Sequence, residues 1–186
     1  KSQFNILKYE SLRKYLIKKK PKYLIHLAGL TRPMSIHNKN IAKSIDLNIV
    51  GTANIVKACE SLSIKLIYFS TNFVYPGTKG NYKETDRKNP LHSYGKIKNE
   101  VEEYILRKKK KYLIIRVSRV FGVNKNDKTI LTNYKQKMQT KRKIICSYDQ
   151  IFSPIFIDDL SNYLEKLIRN KYFGIFHLSS IKMITH

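Results

Sequence analysis

The chain has 186 residues, 42% of them hydrophobic and 11% aromatic, which permits one domain with a sizeable core and excludes a disordered chain. No apolar run approaches the roughly 18 residues that cross a bilayer, and the opening Lys1-Ser2-Gln3-Phe4-Asn5 lacks the apolar core of a secretory signal, so no membrane partner is expected. The formal charge of +24 comes from lysine scattered through a chain rich in Ile, Asn and Tyr; with no helix-turn-helix, zinc or RNA-recognition signature, nucleic acid is not the expected partner, whereas a positive field favours an anionic substrate.

In chain order, residues 8–19 place Leu12, Tyr15, Leu16 and Ile17 at helical spacing. Lys18-Lys19-Lys20 closes that helix, where positive charge complements the dipole, and Pro21 follows. Tyr23 to Leu27 is a short continuous apolar run, as expected of a parallel strand covered on both faces. Residues 41–62 form a long amphipathic stretch, and Lys65 to Phe69 makes a second buried strand. A loop of about two dozen residues follows, carrying Pro76, Gly77, Gly80 and Pro90; loops of that length in a compact domain usually serve function. Tyr94 opens a helix reaching about Lys109, and Tyr112 to Val117 is the third strand. A helix near 128–140, a strand near 143–146, a helix at 158–169 and a strand at 174–178 complete the series. Strands alternating with helices predict an α/β fold with a doubly wound parallel sheet, in which ligands bind beyond the carboxyl ends of the strands. Cys59 and Cys146 stand in apolar contexts without metal-ligand spacing; they read as free buried thiols of a reducing, cytoplasmic setting.

The residues that follow Leu27, Phe69 and Val117 are therefore the ones to inspect. Tyr94 and Lys98, four apart at a helix start, share one face. A phenol ordinarily titrates near 10, and a neighbouring ammonium favours its ionised form and draws it toward the working range. Alone, such a pair is as readily a surface pair. Ser70 and Thr71, just past a buried strand, could simply cap a turn. In a doubly wound sheet, however, that strand end and the next helix start share the rim of the cleft. A hydroxyl from one then meets a substrate oxygen that the phenol of the other protonates.

From His26 to Gly122 the chain resembles the extended short-chain dehydrogenase/reductase family, in its dTDP-4-dehydrorhamnose reductase-like branch. The resemblance rests on His26-Leu27-Ala28-Gly29, on Asn48 with Gly51-Thr52-Ala53-Asn54, and on Ser70-Thr71-Asn72-Phe73-Val74-Tyr75-Pro76-Gly77. It continues through Tyr82-Lys83-Glu84-Thr85-Asp86, Pro90-Leu91-His92-Ser93-Tyr94-Gly95-Lys96-Ile97-Lys98, Ile115-Arg116 and Val120-Phe121-Gly122. Weaker echoes reach Asp149-Gln150 and Phe156-Ile157-Asp158-Asp159-Leu160. It implies a Rossmann-like fold that binds NAD or NADP and acts on a nucleotide-sugar substrate. It implies Tyr94 as the acid/base, Lys98 as its electrostatic tuner and ribose ligand, and Thr71 as the hydroxyl that orients the substrate carbonyl. Ala28 and Gly29 resemble the loop against the cofactor, Asn48 the asparagine that holds the site together, and Ser70 and Ser118 further cofactor neighbours. Tyr75, Asn124 and Gln150 are candidates for sugar-nucleotide contact. His26 reads as structural, and Asp158-Asp159 as negative charge suited to a helix start.

The chain departs from the family in one respect. None of its seven glycines precedes Gly29, and no Gly-x-x-Gly-x-x-Gly occurs, so the turn that cradles a cofactor pyrophosphate is not encoded here. The expectation is one Rossmann-like domain over 1–186, incomplete at its N-terminus, with 123–186 beginning a substrate-binding lobe. The sheet surface so uncovered predicts association, a homodimer being the simplest form. Reduction of a 4-keto sugar is the expected chemistry. Epimerisation or dehydration uses the same trio, but Asn72-Phe73 stands where dehydratases of the family carry an acidic pair. A regulatory homologue without catalysis is the other alternative.

Overall fold

The computed structural model describes residues 4–30, 40–108, 111–123, 129–144 and 150–185. The chain divides into two compact units, Lys1–Arg116 with Phe173–Phe176 and Val117–Tyr172 with His177–His186.

The first unit opens with helix α1 (Tyr9–Lys19), whose Leu12 and Leu16, one turn apart, are buried. It ends where Lys20 adopts the left-handed conformation and donates its N–H to Leu16 O. Strand β1 (Tyr23–His26) follows. The amphipathic stretch at 41–62 is not one regular helix. It runs as α2 (Ile41–Ile45), a π-helical turn (Asp46–Val50) and α3 (Gly51–Ser61). Asn40 caps its start by accepting from Lys43 N at 3.0 Å. Strand β2 (Lys65–Thr71) leads into a 3₁₀ turn (Asn72–Val74), and α4 (Ser93–Arg107) is followed by β3 (Tyr112–Val117). With β7 (Gly174–Leu178) these strands form a parallel sheet in the order β1-β2-β3-β7. β1 and β2 pair in register from Tyr23 opposite Lys65 to His26 opposite Tyr68.

The core of this unit joins Leu12 and Leu16 of α1, Ile55, Val56 and Ala58 of α3, Val101 and Ile105 of α4, and Leu66, Tyr68 and Ile114 of the sheet. Side chains alternate across a strand, so Leu66, Tyr68 and Ser70 face this helix layer while Ile67, Phe69 and Thr71 face the other way. Cys59 is buried in the same cluster, and burial pushes its thiol up to about 12.

In the second unit, β4 (Val120–Phe121) pairs with β6 (Ile155–Phe156) and β5 (Ile151–Phe152) pairs with β8 (Ile184–Thr185). Its helices are α5 (Ile130–Gln139), which Thr129 caps, and α6 (Ile157–Arg169), with Asp158 and Asp159 in its first turn. These two-residue strands carry too little apolar pattern to be read from sequence. Of the strand expected near 143–146, Lys143 and Ile144 are irregular, while 145–149 lie outside the described residues, taking with them Cys146. No helix among the described residues is long and apolar enough to cross a membrane.

Candidate active site at the ends of β1 and β2

β2 delivers Ser70 and Thr71 to its carboxyl end, both buried. Being successive, they face opposite ways. Ser70 donates its hydroxyl to the carboxylate of Glu102, whereas Thr71 Oγ1 accepts from Phe73 N at 3.3 Å, so capping the 3₁₀ turn, and donates to Asn72 Oδ1 at a long 3.4 Å. The first turn of α4 is built directly on that 3₁₀ turn. A Cβ at Gly95 would lie 3.0 Å from the Phe73 carbonyl carbon and 3.1 Å from Pro90 Cβ, so only glycine fits. Tyr94, half-buried on the same turn, meets Phe73 edge to face with ring centroids 6.5 Å apart. The segments carrying Thr71 and Tyr94 are thus joined through Phe73.

Lys98, one turn further along α4, is buried, with 7% of its surface exposed. Its ammonium donates to Phe69 O at 2.6 Å and lies 4.3 Å above the Tyr68 ring. Burial drives it down to about 7, with the opposing pull of Glu102. Burial also pushes Tyr94 up to about 12, so in the free protein the phenol keeps its proton. The ammonium is directed at the end of β2, and in this state it does not bring the phenol down into the neutral range as its sequence spacing suggested.

Glu102 continues the same helix face and is fully buried. Besides Ser70 it accepts from Arg116 Nε at 3.1 Å, Arg116 Nη2 at 2.7 Å and Lys88 Nζ at 3.2 Å. Burial alone would raise this carboxyl; Arg116, Ser70 and Lys88 outweigh it and hold it below the usual range. Arg116 Nη1 also donates to Tyr75 Oη and, at 3.2 Å, to Glu84 O. Tyr75 in turn donates to Lys83 O at 2.8 Å and stacks on Tyr82 with ring centroids 4.5 Å apart. Tyr75 and Ser70, considered above for substrate and cofactor contact, therefore spend their hydroxyls on this network.

At the end of β1, Asn48 reaches out of the π-helical turn. Its side chain accepts from Leu30 N at 3.1 Å and donates to Leu30 O at 3.2 Å and Ser44 Oγ at 3.2 Å. A Cβ on Gly29 would lie 2.5 Å from Asn48 Oδ1, so that close approach requires glycine. Ala28 and Gly29 are exposed beyond the strand, with backbone pinned from behind. His26 beneath them is structural. Thr52 donates its one hydroxyl proton to Asn48 O at 2.8 Å and so accepts from His26 Nε2, also at 2.8 Å. Burial, then the charge of Lys98, lower His26 to about 4, which keeps it neutral.

These residues fit the nicotinamide-ribose end of a dinucleotide: an exposed, side-chain-free backbone at Gly29 and a buried ammonium at the next strand end. The pyrophosphate turn has no counterpart in the sequence of this chain. Among the described residues no group of His, Cys, Asp and Glu could hold a metal ion. Ser118 is half-buried between β3 and β4 in the second unit. Gln150, exposed in that unit, accepts from Arg119 Nη2 at 3.5 Å. Asn124 lies outside the described residues. Sequence reasoning passed over Glu102, Lys88 and the role of Arg116. A signal existed: Glu102 follows Lys98 by four, beside the apolar Val101 and Ile105, where a solvated glutamate is out of place.

Methionine adenosyltransferase 2 subunit beta of Danio rerio is 30% identical over 189 residues, covering 97% of this chain and 57% of the relative. A dTDP-4-dehydrorhamnose reductase of Aggregatibacter actinomycetemcomitans is 31% identical over 170 residues, covering 86% and 56%. The chain thus spans little more than half the length of either. The crystal structure of a dTDP-4-dehydrorhamnose reductase of Bacillus anthracis in complex with NADP shares the fold, with a TM-score of 0.90 at 24% identity over 98% of this chain and 64% of that one. With its whole length, residues 1–186, matching one family, the chain belongs to the RmlD substrate binding domain family.

Proposed function

We propose that the protein containing this chain is an NAD(P)-dependent oxidoreductase that reduces the 4-keto carbon of a nucleotide-activated sugar. The observation that carries this reading is the packing of the Tyr94 turn of α4 on the turn that Thr71 caps, with Lys98 buried one turn below. Family membership and the reductase relative support it. The nicotinamide, when bound, supplies the hydride. Thr71 orients the carbonyl by donating its hydroxyl to the carbonyl oxygen. Tyr94 gives that oxygen its proton, and a phenol held up at about 12 is in the protonated form this step needs. Epimerisation, which begins by oxidising an alcohol, draws on the same three side chains; the reductase relative favours reduction. Lys98 supplies the positive charge that steadies the phenolate left behind, and its ammonium serves the cofactor ribose. Ala28, Gly29 and Asn48 would form the floor of the cofactor site.

The same reading takes residues 123–186 as the start of the substrate-binding lobe, and keeps Ser118 as a candidate for cofactor contact and Asn124 and Gln150 as candidates for sugar-nucleotide contact. It takes the protein as cytoplasmic and as a homodimer. The test is oxidation of NADH or NADPH by the whole protein in the presence of a dTDP-4-keto sugar, followed by absorbance. Cofactor binding without any turnover on such sugars would overturn it.

A second reading is favoured by the methionine adenosyltransferase 2 subunit beta relatives, which match nearly the full chain. On that reading the protein keeps the fold and acts as a non-catalytic subunit of another enzyme. A mixture with a methionine adenosyltransferase distinguishes the two: a stable complex and altered transferase rate, without sugar reduction, selects the subunit.

A further inference from the structure

Tyr94, Lys98 and Glu102 succeed one another at intervals of four along α4, and so share one face. The three differ in what they touch. Glu102 joins three other segments of the first unit: Ser70 at the end of β2, Arg116 in β3, and Lys88 in the stretch leading to α4. Arg116 extends the connection to Tyr75 Oη and Glu84 O. Asn89 N, beside Lys88, returns to Val74 O at 3.1 Å. Burying a carboxylate with a guanidinium costs about as much as it returns, and apolar side chains would fill the same volume with no loss of stability. What such a pair adds is arrangement, because each partner leaves its position only by stranding a buried charge.

Resting on the reductase reading, we propose that Glu102 is a positioning residue for the Tyr94–Lys98 site, the buried carboxylate through which the 75–90 segment, the ends of β2 and β3 and the lysine one turn away are held in a single arrangement. Its effect on Lys98, one turn away, is electrostatic. The groups that face Lys98 are Tyr94 and Glu102 from α4, His26 from β1 and Tyr68 from β2. His26 is neutral and both phenols keep their protons. Glu102 is then the one full negative charge among these groups, with Arg116 and Lys88 offsetting part of its field. It favours the ammonium that burial disfavours.

The test compares Glu102→Gln, Glu102→Asp and Lys88→Met in the whole protein by two independent readouts. In kcat/KM against pH, Glu102→Gln moves the alkaline limb to lower pH by about one unit or more, and Glu102→Asp, which keeps the charge, restores most of it. In amide hydrogen exchange, the protected amides of 75–90, Asp86 and Asn89 among them, open about tenfold faster in Glu102→Gln and in Lys88→Met, while those of α1 and α3 are unchanged. A pH-independent loss of rate in Glu102→Gln overturns the proposal, because a merely structural role would give that. So does unchanged exchange over 75–90. If the wild-type protein reduces no keto sugar, the reductase reading fails and the exchange result alone decides the positioning role. Should Glu102→Gln not fold, Lys88→Met supplies the exchange measurement and Glu102→Asp the pH profile; the limb then stays close to its wild-type position, and an acidward shift of about one unit or more in Glu102→Asp overturns the proposal.

Discussion

Gly95 stands against the carbonyl of Phe73 with no room for a side chain, so the turn that presents Tyr94 and the turn that Thr71 caps are in direct contact. The obstacle to substitution is backbone, which does not yield as a side-chain tip would. Gly95→Ala is expected to cost about 1–3 kcal/mol, the usual range for forcing an extra carbon into packed structure. It should also lower turnover by displacing the phenol. The urea midpoint checks the first effect and a steady-state assay the second; an unchanged midpoint would show that the two turns part freely.

Tyr94→Phe keeps the ring and its edge contact with Phe73 while removing the proton donor. Turnover should fall by a factor on the order of 10²–10⁴, the usual contribution of general acid catalysis. Nicotinamide cofactor affinity, measured by fluorescence, should stay within about twofold, because the floor at Gly29 and Asn48 is untouched.

Lys98 titrates near 7 in the free protein, and its charged form is the one proposed to act. kcat/KM, which reports free-enzyme ionisations, should therefore decline as pH rises through about 7. Lys98→Met should abolish that decline and weaken both cofactor affinity and rate. A profile flat across neutral pH in the wild type would remove the lysine from its assigned role.

Asn48 ties Leu30, beyond β1, to the π-helical turn by two hydrogen bonds and is itself buried. Asn48→Ala leaves those backbone groups unpaired. A stability loss of about 1–3 kcal/mol is expected, with cofactor affinity falling alongside. Calorimetric melting and cofactor titration would check both, and a loss of affinity without any loss of stability would point to direct contact with the cofactor instead.

His26 is lowered from its usual 6.5 to about 4 by burial and by Lys98. Between those values the unfolded chain binds the proton and the folded chain does not. Stability therefore rises with pH across that window and is lost as pH falls from 6.5 toward 4. The size of the loss is on the order of 3 kcal/mol. Urea unfolding at a series of pH values should show this slope, and His26→Gln should flatten it.

Sequence alone carried the alternation of strands and helices, because β2 and β3, covered on both faces, are continuous apolar runs and a packed helix must repeat its apolar residues; β1, expected to be covered likewise, is an edge strand with Ile25 exposed. Thr71, Tyr94 and Lys98 stood out as candidates because the resemblance to a known family is carried by short local motifs. The π-helical turn at Asp46–Val50 was not legible, since a one-residue change of helical pitch leaves no mark in the apolar repeat; the turn carries Asn48, which bonds Leu30 across the fold. Nor was the allocation of hydroxyls: Ser70 and Tyr75 look as available as Thr71 until the fold brings Glu102 and Arg116, 32 and 41 residues away along the chain, to claim them. Nor was the partner of the Lys98 ammonium, Phe69 O, which lies 29 residues away along the chain and is brought to it only by the fold. Burial is a property of the assembled chain, and here it shifts His26, Tyr94 and Lys98, while the ion pair with Arg116 overrides it at Glu102.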